Sequence, residues 1–218
     1  MIIIGEKING SIPSVAEAIA KRDAEFIKQR ARIQDEAGAT FIDCCASVPE
    51  AEEVETLKWM IDCIQEVTDL PISVDSPSAK VLAEAYKFCK RPGLFNSVSG
   101  EGDKMDIIFP LMAENKGWEC IALCSDDTGI PKNAADRLKV FDKIMAKAKE
   151  YGIRPSRLHI DPLERCSAPA RTASRPTRRS SPPSASGTTT STSPPPSPTS
   201  PSTCRCARWS TWASPCWP

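Results

Sequence analysis

The sequence predicts an α/β protein, a (β/α)8 barrel cut short after about six strands and followed by a disordered tail. Three observations predict it. Short apolar runs alternate with amphipathic helical stretches and no antiparallel hairpin signal intervenes, the pattern of repeated βα units. Polar side chains recur where the apolar runs end. Beyond Leu163 the residue usage changes abruptly: from Arg165 to Pro218 only Ser, Pro, Thr, Ala, Arg, Cys, Trp and Gly occur.

The elements follow in order. Ile2–Gly5 is a first strand. Ser14–Ala37 reads as one helix, with Val15, Ala18, Ile19, Phe26, Ile27 and Ile33 on its apolar face and Gly38 as its stop. Thr40–Cys44 is strand two. Pro49–Val67 is a helix carrying Leu57, Met60, Ile61 and Ile64 on one side. Pro71–Asp75 is strand three and Ala79–Cys89 the next helix. Gly93–Ser97, Glu119–Ser125 and Arg157–Asp161 are strands four to six, separated by helices at Asp103–Asn115 and Ala134–Tyr151. A doubly wound sheet is the competing arrangement. It usually carries a glycine-rich phosphate loop after strand one. Gly5-Glu6-Lys7-Ile8-Asn9-Gly10 lacks that spacing, and Gly100-Glu101-Gly102-Asp103-Lys104 lacks the P-loop pattern.

The break after Leu163 divides the chain into a globular body, 1–163, and a tail, 164–218. Every residue type in Arg165–Pro218 is encoded with C or G at the second codon position. In a GC-rich gene the third base is the one held at G or C, and an out-of-frame reading moves it into second place. The tail therefore reads as a frameshifted translation. The alternative is a genuine Pro/Ser/Thr-rich linker, too polar to bury a core.

Formal charge is zero over the whole chain, with 28 basic and 28 acidic residues. The tail is rich in Arg, so the body alone is mildly acidic, which argues against a nucleic-acid or anionic-membrane partner. Met1-Ile2-Ile3-Ile4 meets charge at once and is too short for an export signal or a span. A cytoplasmic protein with reduced thiols is expected.

The polar positions suggest a site. Glu6 and Asn9 follow the first run, Asp43 the second, Asp75 the third, Asn96 the fourth, Ser125-Asp126 the fifth and Asp161 the sixth. In a parallel barrel the C-terminal strand ends converge on the face where active sites are built. For any one of these residues, capping the next helix is an alternative role. The set offers carboxylates and carboxamides and no metal-ligating cluster. His159 shares the inward face of Asp161, where a barrel-layer packing role is the more common one. Cys44 and Cys45 point to opposite faces of one strand and cannot share a zinc ion. Cys45 and Cys124 read as packing residues rather than nucleophiles. Such acceptors suit a planar, donor-rich heterocycle, and a pterin has that edge.

Ile3-Ile4-Gly5-Glu6-Lys7-Ile8-Asn9-Gly10, Ser73-Val74-Asp75-Ser76, Phe95-Asn96-Ser97, Thr128-Gly129-Ile130-Pro131-Lys132 and His159-Ile160-Asp161-Pro162-Leu163 resemble the methyltetrahydrofolate:corrinoid/iron–sulfur protein methyltransferases. These are pterin-binding barrels, like the folate domain of cobalamin-dependent methionine synthase and dihydropteroate synthase. The resemblance implies transfer of the N5-methyl group of methyltetrahydrofolate to the cobalt of a corrinoid (cobalamin) carried by a partner protein, usually by a homodimer. It implies that Asp75, Asn96 and Asp161 hydrogen-bond the pterin and that Asn9 and Asp43 line the same cavity. The family's N5-activating Asn belongs to a Ser-Asn-Ile-Ser-Phe-like segment after strand six. No residue of 1–163 replaces it, so the chain as written is expected to be impaired. Another reading frame of Ser197–Cys204 permits such a segment, and that of Trp209–Pro218 permits an apolar run. Dihydropteroate synthase is the second enzyme reading, weakened because Glu6–Ser11 lacks that family's Asn-Val-Thr-Pro-Asp-Ser-Phe character. A non-catalytic pterin-binding fragment is the third.

Overall fold

The computed structural model describes residues 1–163; the tail expected to be disordered, 164–218, lies outside them. The described elements are β1 (Ile4–Asn9), α1 (Pro13–Lys21), α2 (Ala24–Glu36), β2 (Phe41–Cys45), α3 (Glu50–Gln65), β3 (Ile72–Asp75), α4 (Ala79–Ala85), β4 (Leu94–Gly100), α5 (Lys104–Glu114), β5 (Glu119–Asp126), α6 (Ala134–Glu150) and β6 (Leu158–Asp161). Single 3-10 turns at Tyr86–Phe88 and Pro155–Arg157 close α4 and introduce β6.

All six strands are parallel and lie in sequence order, β1 through β6. A doubly wound sheet reverses direction at a switch point; this order has none and matches the first six strands of a barrel. The packing agrees. The larger apolar core joins α1 to α6 with outward strand residues such as Ile8, Ile42, Cys44, Val74 and Phe95. A second, smaller cluster contains strand residues alone: Phe41, Leu94 and Ile121, with Ile4 and Leu123 against it. That cluster is the inner layer, and the helices cover only the other face.

Helix one departs from the sequence expectation. Ser14–Ala37 is two helices, because Arg22 adopts the left-handed conformation (φ 53°) and its N–H bonds back to the carbonyls of Ala18 and Ile19. Asp23 then caps α2, accepting from the Phe26 amide at 3.1 Å. An Asp before Ala-Glu carries that signal in the sequence, yet the apolar periodicity runs through it. Ile33, assigned to the apolar face, is 52% exposed. Gly38 is the expected stop, with φ 83°. Leu57, Met60, Ile61 and Ile64 are all fully buried on α3.

Strand boundaries also shift. β1 runs on through Glu6 to Asn9, with a bulge between Gly5 and Ile8. The buried Gln34 of α2 fills that irregularity, its Oε1 accepting from the Lys7 amide at 2.7 Å. β4 continues past Asn96 to Gly100. The bulge and the longer strand have one physical origin. Both follow backbone pairing with a neighbour, which the hydropathy of the strand itself does not encode. Gly10 must be glycine, since a Cβ there would stand 2.0 Å from the Ala46 carbonyl oxygen.

The helix α5 is tied to the start of β6 by one buried cation. Arg157, 7% exposed, donates through Nε to the Trp118 carbonyl at 2.7 Å. Its Nη2 donates to the carbonyls of Met112 at 2.8 Å and Asn115 at 2.9 Å, at the C-terminal end of α5. A guanidinium there meets the negative end of the helix dipole and satisfies carbonyls that the helix cannot.

Candidate functional site

Strand register decides which side chains share the inner face. Leu94 and Ile121 belong to the inner cluster, and paired residues of parallel strands point the same way. Asp43 pairs with Ser73 and Ser73 with Leu94; Asn9 pairs with Cys45, Cys45 with Asp75, Asp75 with Asn96, and Asn96 with Ile121. Ile121 pairs with His159 and Leu123 with Asp161. Asn9, Asp43, Asp75, Asn96, His159 and Asp161 therefore all line the interior. Asp75 and Asn96 are immediate neighbours, while Asp161 reaches the same interior from the last described strand.

The residues are not a simple set of strand ends. Asn9, Asp75 and Asp161 do end their strands, but Asp43 and Asn96 lie within theirs. Glu6 lies in the middle of β1 and is exposed. Asp126 ends β5 but turns to its own loop, its Oδ1 accepting from the Thr128 amide at 2.9 Å and hydroxyl at 2.6 Å. That is a loop turn and not a helix cap; the next helix, α6, is capped by Asn133, whose side chain accepts from the Asp136 amide.

Asp43 is the buried centre, 2% exposed. Its Oδ1 accepts from the Ser73 hydroxyl at 2.6 Å and from Asn96 Nδ2 at 3.1 Å. Burial, and then the charge of Asp75, raise the Asp43 carboxyl from 3.8 to about 7. Burial raises Asp75 too. Asp75 lies two residues along the paired strand from Ser73, the register partner of Asp43, on the same face, so ionising both carboxyls in this poorly solvated layer is disfavoured. The Cys45 thiol, hydrogen-bonded to Asp75 and to Ser47 Oγ, is pushed up to about 12 by burial. It stays a neutral thiol and packs, as does Cys44, whose thiol burial also raises.

The rim is set by local turns. Asn9 Oδ1 accepts from the Ser11 amide at 2.8 Å and hydroxyl at 2.6 Å, which leaves its NH2 as the group to present inward. Asp161 Oδ1 accepts from the Leu163 amide at 2.8 Å. His159 Nε2 meets Glu119 Oε2 at 2.5 Å, so the imidazole is engaged within the barrel wall. Among the described residues no group of three His, Cys, Asp or Glu side chains could hold a metal ion. The sequence reading missed Ser73 and Glu53. Ser73 stands two residues before Asp75 and so on its face, a signal present in the sequence. Glu53 of α3 is 3% exposed, accepts from Ser76 beneath Asp75, and has its carboxyl raised by burial; nothing local in the sequence marks it.

The arrangement presents two half-buried carboxylates, a carboxamide held from behind, and an amide NH2. That is a set of acceptors with one donor, shaped by β-strands rather than by loops. Comparison with known proteins gives the family. Residues 5–173 match the pterin binding enzyme family. The chain is 46% identical over 163 residues to the methylcorrinoid:tetrahydrofolate methyltransferase of Eubacterium limosum, covering 74% of this chain and 60% of that protein. It is 25% identical over 170 residues to the methionine synthase of Mycobacterium leprae, covering 75% of this chain and 14% of the relative. The chain thus spans about 60% of the length of the first relative and a small part of the second. Among solved structures, dihydropteroate synthase from Xanthomonas albilineans, in complex with 7,8-dihydropteroate, superposes with a TM-score of 0.54 at 22% identity, over 74% of this chain and 58% of that one. That likeness shows the fold. With the family matched over most of its length, the chain belongs to the pterin-binding enzymes.

Proposed function

We propose that this chain derives from a methyltransferase exchanging a methyl group between N5 of tetrahydrofolate and the cobalt of a corrinoid protein. The observation that carries the reading is the adjacent pair Asp75 and Asn96 on the inner face, with Asp161 facing the same interior. The 46% identity to the Eubacterium limosum enzyme supports the choice of reaction within the family. That relative is named for transfer from methylcorrinoid to tetrahydrofolate, opposite to the direction the sequence resemblance implied. One site serves both directions, because the forward and reverse reactions share a transition state.

Asp75, Asp161 and the Asn96 carbonyl accept from the amino and ring N–H groups of the pterin, and the Asn9 NH2 donates at the rim. The corrinoid, carried by a partner protein, supplies the methyl donor or acceptor. In the demethylating direction, a tertiary amine leaves poorly unless N5 gains a proton or a strong hydrogen bond as its bond to carbon breaks. Within 1–163 no residue takes that role, and the family's Asn belongs to the segment that follows. With 164–218 read out of frame, the chain binds pterin and turns over slowly or not at all. The family's homodimer and the cytoplasm remain the expected assembly and compartment. Among the described residues no helix is long and apolar enough to cross a membrane.

The test uses the chain and a version with its reading frame restored after codon 163. Each is assayed for methyl transfer between methylcobalamin and tetrahydrofolate in both directions, and for condensation of a dihydropterin with p-aminobenzoate. Methyl transfer by the restored version, well above that of the present chain, is expected. Condensation in place of methyl transfer would make the protein a dihydropteroate synthase. Tight pterin binding with neither reaction in either version would make it a binding fragment.

A further inference from the structure

We propose that Asp43 is a positioning residue rather than a pterin ligand: it fixes the Asn96 carboxamide so that the carbonyl oxygen, and not the NH2, faces the cavity. The inference rests on the pterin-binding reading above and assigns the rear of that site.

Three observations carry it. Asp43 is 2% exposed, behind a half-buried Asn96, so a ligand in the interior meets Asn96 first. Asp43 Oδ1 accepts both the Ser73 hydroxyl and Asn96 Nδ2, at 2.6 and 3.1 Å. A carboxylate cannot donate, so only the NH2 end of the Asn96 amide can turn toward it. Its Oδ1 already has two donors, so a proton added to this carboxyl resides on Oδ2. The amide orientation therefore holds in either protonation state. Ser73, one strand over, serves as the second donor that keeps Oδ1 an acceptor.

An amide is nearly symmetric in shape, and free rotation would let Asn96 offer a donor as readily as an acceptor. Locked from behind, it offers only an acceptor, matching the donor-rich edge of a pterin. The expense of ordering the amide is met on folding rather than on binding, which is preorganisation in its simplest form.

The experiment follows the Asn96 side-chain NH2 in the 15N-labelled full chain, identified as the pair of resonances lost in Asn96→Ser. In wild type, those protons are expected to exchange slowly with solvent both without and with tetrahydrofolate. In Asp43→Ala, water replaces the carboxylate and exchange is expected to quicken, with tetrahydrofolate affinity down about 10-fold for one lost buried acceptor. Asp43→Asn keeps an acceptor oxygen and is expected to restore both slow exchange and affinity. A merely structural Asp43 would lower the melting temperature in Asp43→Ala without changing Asn96 exchange, and would overturn the proposal. So would Asn96 protons that exchange in wild type as fast as those of an exposed Asn. Should Asp43→Ala not fold, the wild-type exchange and Asp43→Asn decide. Slow exchange together with no tetrahydrofolate binding by wild type would refute the pterin reading and leave the positioning role standing.

Discussion

In the proposed pterin site Asp75 and Asn96 matter most, because each has one face committed to the protein and one to the interior. Replacing either with Ala removes a half-buried hydrogen-bonding group. By the usual worth of such a group, about 1 to 3 kcal/mol, tetrahydrofolate affinity should drop roughly 5- to 150-fold, measurable by calorimetry. The carboxyl pair also makes stability depend on pH in an uncommon direction. Asp43 binds its proton more tightly in the folded chain, near 7, than its ordinary 3.8, and Asp75 is raised as well. Between those values the native state holds more protons than the unfolded one, so stability falls as pH rises through about 7 and recovers as pH falls toward 4. Urea midpoints at pH 5 and pH 8 should show Asp43→Asn gaining on wild type at the higher pH. An equal difference at both would remove the strained pair from the account.

At the scale of elements, the fold follows from which backbone groups find partners. Arg157 satisfies carbonyls at the end of α5 and of Trp118. Arg157→Ala leaves those carbonyls without their donor and is expected to cost about 2 to 4 kcal/mol in urea unfolding, with Arg157→Lys recovering only part. Losing the α2 cap in Asp23→Ala should cost about 1 kcal/mol. Most elements were legible in the sequence because their apolar spacing is regular: Leu57, Met60, Ile61 and Ile64 mark one face of α3, and all are buried. The break at Arg22 was not, since the apolar positions keep helical register across it while one residue in the left-handed region turns the chain. In the candidate site, the inward placement of Asp75, Asn96 and Asp161 was legible from their position as polar residues interrupting apolar runs. The layer beneath them was not. Asp43 reads locally like any other strand-end acid, and only strand pairing reveals that Ser73 and Asn96 consume its oxygen.

For the whole molecule, six parallel strands in sequence order leave β1 and β6 paired on one side only among the described residues. Ile2 and Ile3, leading into β1, are 39% and 42% exposed. Unpaired strand edges beside apolar surface favour association. The chain as translated is therefore expected to self-associate more and to melt at a lower temperature than the frame-restored version. Size-exclusion chromatography and calorimetry on the pair would decide. A 218-residue chain as monodisperse and as stable as the restored version would speak for a genuine tail.

The most direct measurement is a crystal structure of the frame-restored protein with tetrahydrofolate bound. The pterin should lie against the inner face, with Asp75, Asp161 and the Asn96 carbonyl oxygen each about 3 Å from one of its nitrogens. A pterin seated elsewhere, or an Asn96 amide presenting its NH2 to the ring, would contradict that reading.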